Sequence, residues 1–329
     1  MSVATASPSD ARPRAPAARP LAPLAIFILL ALLPLAATLG LPPHWLTLVT
    51  RAMIFAIAAL SLDLVLGVGG LISFGHAAFI GIGAYGAGIL ITEGQTELLV
   101  ALPVILLACA IFAAITGYVS LRTRGVAFIM ITLAFGQMAF YFAQALSAYG
   151  GDDGLTLYEK STLLGHDVFA NRTGFYYIAL GTLAVCYWLA RWLVGSRFGR
   201  VLRAARENAV RVTVTGYDVD RVRLGAYVIS GMMAGLSGFL LANQTDFVSP
   251  AYMSWPRSGE LIFMVVLGGV GSLHGAILGA LAFLITEDVL SSLTQNWKVI
   301  FGPLIVLFVL FTHGGIAGLA TKLRGRRDG

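Results

Sequence analysis

The sequence predicts an all-α polytopic membrane protein with about ten transmembrane helices and both termini in the cytoplasm (N-in/C-in). Its 329 residues are 58% hydrophobic and only 12% charged, whereas soluble domains contain about 25% charged residues. Such a chain has too few polar side chains to cover a water-facing surface. No segment alternates polar and apolar residues as a strand would, so helices must satisfy the backbone hydrogen bonds inside the bilayer.

Ten apolar segments follow one another along the chain. The first, 21–40, has the basic flank of a signal peptide but is longer than the apolar region of one, and is interpreted as an uncleaved span. The Ala-, Pro- and Arg-rich residues 1–20 predict a disordered cytoplasmic tail. Residues 21–320 form the transmembrane domain, and residues 321–329 a basic cytoplasmic tail. The other nine segments are 46–68, 76–92, 98–120, 126–147, 174–195, 224–243, 259–271, 275–290 and 298–318.

The basic residues predict the orientation. With the N-terminus inside, 17 of the 22 Lys and Arg residues fall on the cytoplasmic side, as the positive-inside rule requires. Both termini inside require an even number of spans, and ten satisfies this. The net charge of +6 is therefore interpreted as topology, and no nucleic-acid partner is expected.

Two stretches resemble each other: VLGVGGLISFGHAAFIGIGA at 65–84 and VLGGVGSLHGAILGA at 266–280. Transporters are often built from repeated halves, so an internal repeat is one interpretation. Sequence rich in Gly, Ala and Leu also matches itself by chance, and that interpretation stays open.

The sequence lacks the signatures of catalysis. None of the three lysines lies in a GxxxxGK[ST] phosphate loop, and no Cys/His cluster has metal-ligand spacing. Cys109 and Cys186 both lie in apolar segments and are expected to be packed thiols. We therefore expect a protein that is not an enzyme, with no cofactor and no metal site.

The polar loop 196–224 predicts an amphipathic helix. At 100° per residue, its basic and apolar residues divide between two halves of the helix, and Gly216 can end it because glycine tolerates positive φ. Two interpretations remain, a helix offered to a cytoplasmic partner and an interfacial helix on anionic lipid. The basic half comprises Arg197, Arg200, Arg203, Arg206 and Arg211, and the apolar half Val201, Leu202, Ala205, Ala209 and Val212.

A smaller set of residues in the spans could contribute to a solute pathway. Asp63 is an intramembrane carboxylate, which is a functional candidate by default, although a structural role near the cytoplasmic end, where it could reach water or bond a neighbouring helix, is favoured. Glycines surround His76 in 67–88, where a broken helix could expose backbone donors to a substrate. His76 itself could be a substrate ligand, a pH-sensitive group or a hydrogen-bonded structural histidine, and the structural role is favoured. The candidates are Asp63, Gly75, His76, Gly81, Gly83 and His274.

Six motifs, which follow one another between about residues 50 and 318, resemble motifs of a known family. The family is that of the inner-membrane permease subunits of branched-chain amino acid ABC importers, the LivM type. The motifs are SLDLVLGVGGLISFGHAAFIGIGAYGAG (61–88), RGVAFIMITLAFGQ (124–137), GGDDGL (150–155), SRFGRVLRAARENAVRVTVTGYDV (196–219), YVISGMMAGLSGFLLANQTDFVSP (227–250) and SGELIFMVVLGGVGSLHGAILGA (258–280).

The resemblance implies a bacterial inner-membrane location and several partners. These are a homologous second permease subunit, two cytoplasmic ATP-binding subunits that use the ATP, a periplasmic substrate-binding protein and membrane lipid. The implied substrates are branched-chain amino acids or similar small polar solutes. Two other functions stay open: a stand-alone ion-coupled secondary carrier, which the scarcity of midplane carboxylates disfavours, and a membrane scaffold.

The resemblance also implies that 196–224 is the loop that couples the permease to an ATPase. Many ABC permeases carry Glu-Ala-Ala six residues before the conserved glycine, whereas this chain has Val210, Arg211 and Val212. The residues implied in coupling are Arg197, Phe198, Gly199, Arg200, Arg203, Arg206, Glu207, Asn208 and Gly216.

Overall fold

The computed structural model describes residues 21–38, 42–163, 165–166, 168–312 and 314–318. The predicted tails, 1–20 and 321–329, lie outside the described residues. The helices are α1 (Leu21–Thr38), α2 (Pro43–Asp63), α3 (His76–Thr92), α4 (Leu98–Ser120), α5 (Val126–Ala145), α6 (Arg172–Gly195), α7 (Arg197–Val214), α8 (Val219–Thr245), α9 (Trp255–Gly268), α10 (Leu273–Leu293) and α11 (Trp297–Phe311).

Each of the ten predicted apolar segments overlaps one of these helices, and α7 is the helix predicted in the polar loop. The predicted last segment is too long, because α11 ends at Phe311 and is followed by the positive-φ glycines Gly314 and Gly315. Among the described residues, six helices are long and apolar enough to cross a membrane. They are His44–Val68, Leu98–Ser120, Val126–Ala145, Arg172–Gly195, Val219–Thr245 and Leu273–Leu293.

The helix α2 lies at the centre of the bundle. It continues as a π-helical turn over Leu64–Val68, and 94% of its apolar stretch is buried, against 22% for α4 and α5. It packs against α6, α8, α9 and α10. A helix that is apolar on all sides is stable only when neighbours cover all of them, and α2 meets that condition. Cys109 and Cys186 are free and buried, as predicted.

The helices α3 and α8 form the most extensive helix–helix contact in the bundle. A Cβ atom on Gly83 would lie 2.0 Å from the carbonyl oxygen of Gly235, and one on Gly238 would lie 1.9 Å from that of Ile80. The backbones therefore touch, as small residues at helix crossings in membranes allow.

The helix ends divide into two groups at opposite ends of the bundle. The β end carries a two-residue antiparallel ladder between β1 (Leu155–Thr156) and β2 (Phe247–Val248). There the imidazole of His44 lies 3.0 Å from the carboxylate of Asp288, and Gln244 donates to the carbonyl of Thr47 at 2.9 Å. Lys160 pairs with Asp246 at 3.3 Å.

The opposite end, called the α7 end, joins the other termini of the same helices. Asp63 at the end of α2 accepts from the backbone of Gly271, before α10. Arg206 of α7 donates to the carbonyl of Gly67, and Arg223 near the start of α8 donates to that of Ala205. Successive apolar helices therefore alternate in direction through the bundle.

The two similar stretches adopt the same form. In each, a helix ends, a short break contains glycine with positive φ, and a new helix starts close to a histidine, His76 in α3 and His274 in α10. Both breaks lie at the α7 end, where Gly67 and Gly271 approach each other. The sequence likeness is therefore matched by a structural one.

Candidate functional site

The helix α7 lies within the polar loop 196–224 and ends just before Gly216, as predicted. The hydroxyl of Ser196 accepts from the backbone of Gly199 at 3.4 Å, which satisfies one of the free N–H groups at a helix start. Gly216, with φ of +90°, follows the last turn. The next helix, α8, starts five residues earlier than predicted, at Val219, because the Asp218 carboxylate accepts from the backbone of Arg221 at 3.1 Å.

A kink that was not predicted divides α7 at Asn208. This residue has φ of −154° and ψ of 97°, outside the helical region. Its side-chain oxygen accepts from the backbone of Arg211 at 2.9 Å, as an N-cap residue does. Two short helices, 197–207 and 209–214, therefore meet at Asn208. The preference of asparagine for caps over helix interiors was the available signal.

The apolar half of α7 lies against the rest of the chain. Leu202 forms a small buried cluster with Val68 of the π-helical turn and Ala226 of α8. Ala205 and Val212 pack with Val219 in a second cluster. The predicted division of the helix into two halves is therefore present, and its apolar half covers protein.

The arginines of the basic half have different partners. Arg203 donates to the carbonyls of Val194, at 2.8 Å, and Gly199, at 3.4 Å, both at the corner between α6 and α7. Arg200 donates to the carbonyl of Gly195 at 3.1 Å. Arg206 reaches the membrane bundle at Gly67, as described above.

The remaining loop candidates are either exposed or part of the α6–α7 corner. Arg197, Arg211 and Glu207 are exposed. Gly199 is buried, and a Cβ on it would lie 2.5 Å from the carbonyl oxygen of Leu193. Phe198 is half-buried beside Gly225.

An open groove of about 310 Å³ lies beside the outer part of α7. Its charged residues, Arg197 and Arg200, flank apolar side chains. Next to it, Val210 and Val214 are 66% and 82% exposed, and Tyr217, which lines the groove, is 51% exposed. The groove is lined by Arg197, Arg200, Val201, Ala204, Val212, Thr215 and Tyr217. Val214 and Tyr217 were not among the predicted residues, although their position beside Gly216 was a signal.

Asp63 lies in a fully buried position at the α7 end. One carboxylate oxygen accepts from the backbone of Gly271 at 2.7 Å, and the other has no hydrogen-bond partner among the described residues. Gly67, one turn later, leaves room for this contact, since a Cβ there would lie 2.4 Å from the nitrogen of Gly271. Asp63 therefore bonds the connection before α10 and, being fully buried, does not reach water. A role in the solute pathway stays a prediction.

His76 of α3 is buried against polar side chains of two other helices, α2 and α8. Its Nε2 lies 2.9 Å from the hydroxyl of Ser61 and 3.5 Å from that of Ser230, and its ring packs edge-on against Phe79. The preceding Gly75 lies against α5, where a Cβ would be 2.2 Å from the carbonyl oxygen of Thr132.

The other pathway candidates lie elsewhere. Gly81 faces the side chain of Met253, and Gly83 lies on α8 as described. His274 is half-buried with Nε2 3.3 Å from the hydroxyl of Ser272. The six candidates thus belong to separate packing contacts. Within the described part of the chain, no group of three or more His, Cys, Asp or Glu residues could hold a metal ion.

Comparison with known proteins relates this architecture to transport. A family model described as the permease component of branched-chain amino acid transport systems matches residues 45–310. The chain is 28% identical over 290 residues to the high-affinity branched-chain amino acid transport system permease protein LivM of Escherichia coli K12, covering 81% of this chain and 68% of that protein.

A second type of permease protein is also similar. The LivH protein of Salmonella typhimurium is 26% identical over 290 residues, which cover 82% of this chain and 93% of that protein. The probable LivM of Methanocaldococcus jannaschii is 30% identical over 142 residues, covering 42% of this chain and 41% of that one. No solved structure matches.

Proposed function

We propose that this chain, which belongs to the family of permease components of branched-chain amino acid transport systems, forms half of the translocation pathway of an ATP-binding cassette importer. Its relatives and its apolar helices identify it as a multi-pass membrane protein. The observation that carries the proposal is α7, a kinked, arginine-rich helix that is packed on the bundle by one half and exposed on the other. Such a helix suits a partner that moves it from outside.

The proposed topology has ten crossings, with both termini in the cytoplasm of a bacterial cell and the bundle in the inner membrane. The alternating direction of the helices supports this count, including the shorter α1, α3, α9 and α11. The hydroxyl of Tyr176, near the start of α6, donates to the carbonyl of Leu30 at 2.6 Å, consistent with α1 starting at the α7 end. The arginines of α7 favour this end as the cytoplasmic one.

The ATPase contact proposed here differs in chemistry from the Glu-Ala-Ala pattern. Val210, Val214 and Tyr217 present an exposed apolar surface, and Arg197 and Arg200 flank the adjacent groove. A partner groove with an apolar floor and an acidic rim complements it. The chain would have no ATPase site of its own, and ATP would be used by two attached cytoplasmic subunits.

The remaining partners are a homologous second permease subunit and a periplasmic substrate-binding protein. Similarity to both LivM and LivH proteins supports a pairing of two related permeases. The substrates proposed are branched-chain amino acids or similar small polar solutes, because the matched relatives are named for branched-chain amino acid transport. Membrane lipid would surround the exposed apolar faces of α4 and α5.

Reconstitution tests this function against its alternatives. The chain, its second permease and the two ATPases are placed in liposomes with the binding protein and radiolabelled leucine. We expect uptake only when ATP and the binding protein are both present. Uptake by the chain alone on a proton or sodium gradient would instead identify a secondary carrier. A scaffold would show no uptake in either arrangement.

A further inference from the structure

We propose that Arg206 is a positioning residue that transmits movement of α7 to the two glycine-containing breaks of the bundle. The inference rests on the proposed ATP-driven function and adds a route through which the ATPases would act. It is carried by a series of contacts that joins α7 to α2 and then to the connection between α9 and α10.

The first contact joins α7 to the end of α2. The carbonyl of Gly67 is available because the N–H groups of residues 69, 70 and 71 bond to the carbonyls of residues 64, 66 and 65. The guanidinium of Arg206 donates to this carbonyl. Its aliphatic stem covers Gly70, where φ is +70° and a Cβ would lie 2.6 Å from Cγ of Arg206. Arg206 therefore occupies the space that any side chain at position 70 would need.

The second contact joins the end of α2 to the connection before α10. Gly67 lies directly on Gly271, and the Asp63 carboxylate accepts from the backbone of Gly271 at 2.7 Å. Arg206 is thus hydrogen-bonded to the end of α2, beside the first break, and the contact between Gly67 and Gly271 joins that end to the second break.

The segment between these contacts, Leu64–Val68, has a backbone geometry that can rearrange at low cost. Residues Leu64–Val68 form a π-helical turn, a geometry that is less stable than the α-helix and is frequent at functional sites. Asn208, two residues after Arg206, is the kink of α7. A force on the outer part of α7 therefore meets a hinge next to the residue that holds the π-helical turn.

Arg203 provides a matched control. It lies on the same helix, carries the same charge and also donates to backbone carbonyls, but these belong to Val194 and Gly199 at the α6–α7 corner. Replacing Arg203 removes charge and hydrogen bonds without touching α2.

The first experiment measures coupling in the reconstituted complex. The variants Arg206→Met, Arg206→Lys and Arg203→Met are compared for leucine uptake and ATP hydrolysis in the same vesicles. We expect Arg206→Met to lower the uptake per ATP about tenfold, the effect of losing one charged hydrogen bond. Arg206→Lys should restore part of this ratio, and Arg203→Met should keep it. An unchanged ratio in Arg206→Met, or an equal loss in Arg203→Met, overturns the proposal.

The second experiment needs no partner protein. Spin labels are placed by Ala204→Cys, in the part of α7 that contains Arg206, and by Val270→Cys before α10, both exposed positions, while the two native cysteines are buried. We expect one narrow distance distribution in the otherwise unchanged chain and with Arg203→Met, and a broad one with Arg206→Met. A distribution that Arg206→Met leaves narrow contradicts the link. If the complex shows no ATP-dependent uptake, the proposed function fails, and this distance measurement still decides whether Arg206 joins the two segments.

Discussion

Replacing Gly67 by alanine tests the tightest contact at the α7 end. The new Cβ would lie 2.4 Å from the nitrogen and 2.6 Å from the Cα of Gly271, and 2.1 Å from a carboxylate oxygen of Asp63. Ordinary contact begins at 3.4 Å, so the backbone of Gly271 must retreat by about 1 Å, the difference between 3.4 and 2.4 Å. That movement breaks the hydrogen bond between Gly271 and Asp63, because its 2.7 Å separation lengthens beyond bonding distance.

The expected loss of stability is about 3 kcal/mol or more, from overpacking of about 1–3 kcal/mol and a lost hydrogen bond to a charged group of about 1.5–3 kcal/mol. The two contributions arise from one movement and do not simply add. Thermal unfolding of the purified protein in detergent, followed by the exposure of buried cysteines, measures it. A decrease of about 5–10 °C in the midpoint is expected for a chain of this size.

The matched control is Gly181→Ala in α6, where a Cβ would meet nothing within 4 Å. Alanine in a helix interior is more favourable than glycine by about 0.5–1 kcal/mol, so this variant should unfold at the wild-type temperature or slightly above. If Gly67→Ala unfolds at the wild-type temperature, the close contact between Gly67 and Gly271 does not exist and the reasoning is refuted.

Four further variants, at three positions, test other parts of the site. Gly216→Val places a β-branched residue at φ of +90° in open space. The protein should still insert into the membrane, but the solute taken up per ATP hydrolysed, measured in vesicles, should fall. Unaltered uptake would argue against a coupling role for Gly216. Val214→Asp should weaken binding of the ATPases at least about tenfold, as a charge buried in an apolar contact does, with an unchanged melting midpoint. His76→Ala should lower the melting midpoint, because it creates a cavity that costs about 2–4 kcal/mol of stability. His76→Gln can still reach the hydroxyl of Ser61 and should lower the midpoint less. Equal midpoints for the two variants would exclude a structural hydrogen bond from His76.

The helices could be predicted from the sequence because their determinants are local. Apolar segments of sufficient length and the glycines between them place most helix ends within a few residues, the exceptions being the start of α8 and the end of α11. In the polar loop, the periodicity of arginines and apolar residues predicts α7, and Gly216 predicts its end. The kink at Asn208 could not be predicted with the same rules, because the periodicity continues through it and only a side-chain cap breaks the backbone.

The partners of the polar residues could not be predicted, because they are distant in the sequence. Periodicity places Arg203 and Arg206 on the same half of α7, yet one bonds to the α6–α7 corner and the other to Gly67, 139 residues earlier. Asp63 bonds to Gly271, 208 residues later. Helical spacing defines the face on which a side chain lies, whereas tertiary packing decides what that face meets.

The pathway candidates illustrate the same limit. Closely spaced glycines indicate that another backbone comes near, and at Gly83 this is true. The pattern does not distinguish a neighbouring helix from a solute, however. In the structure Gly83 meets the backbone of α8, and Gly81 meets Met253. A role for these residues in solute passage stays a prediction, which substrate-dependent KM changes in Gly81→Ala vesicles would test.

Glycine has two different effects in this bundle, and the difference indicates where movement is least costly. Between α3 and α8, glycines let two backbones touch deep in the bundle, and separating them would leave an empty space with no substitute contact. At the α7 end, glycines allow breaks whose backbone groups bond to Asp63 and Arg206. Arg206 is partly exposed, so water can replace its hydrogen bond when α7 moves, at a net cost of about 0.5–3 kcal/mol. An ATPase that pulls on α7 would therefore displace the breaks before the α3–α8 contact, and the bundle would open at this end around a rigid centre.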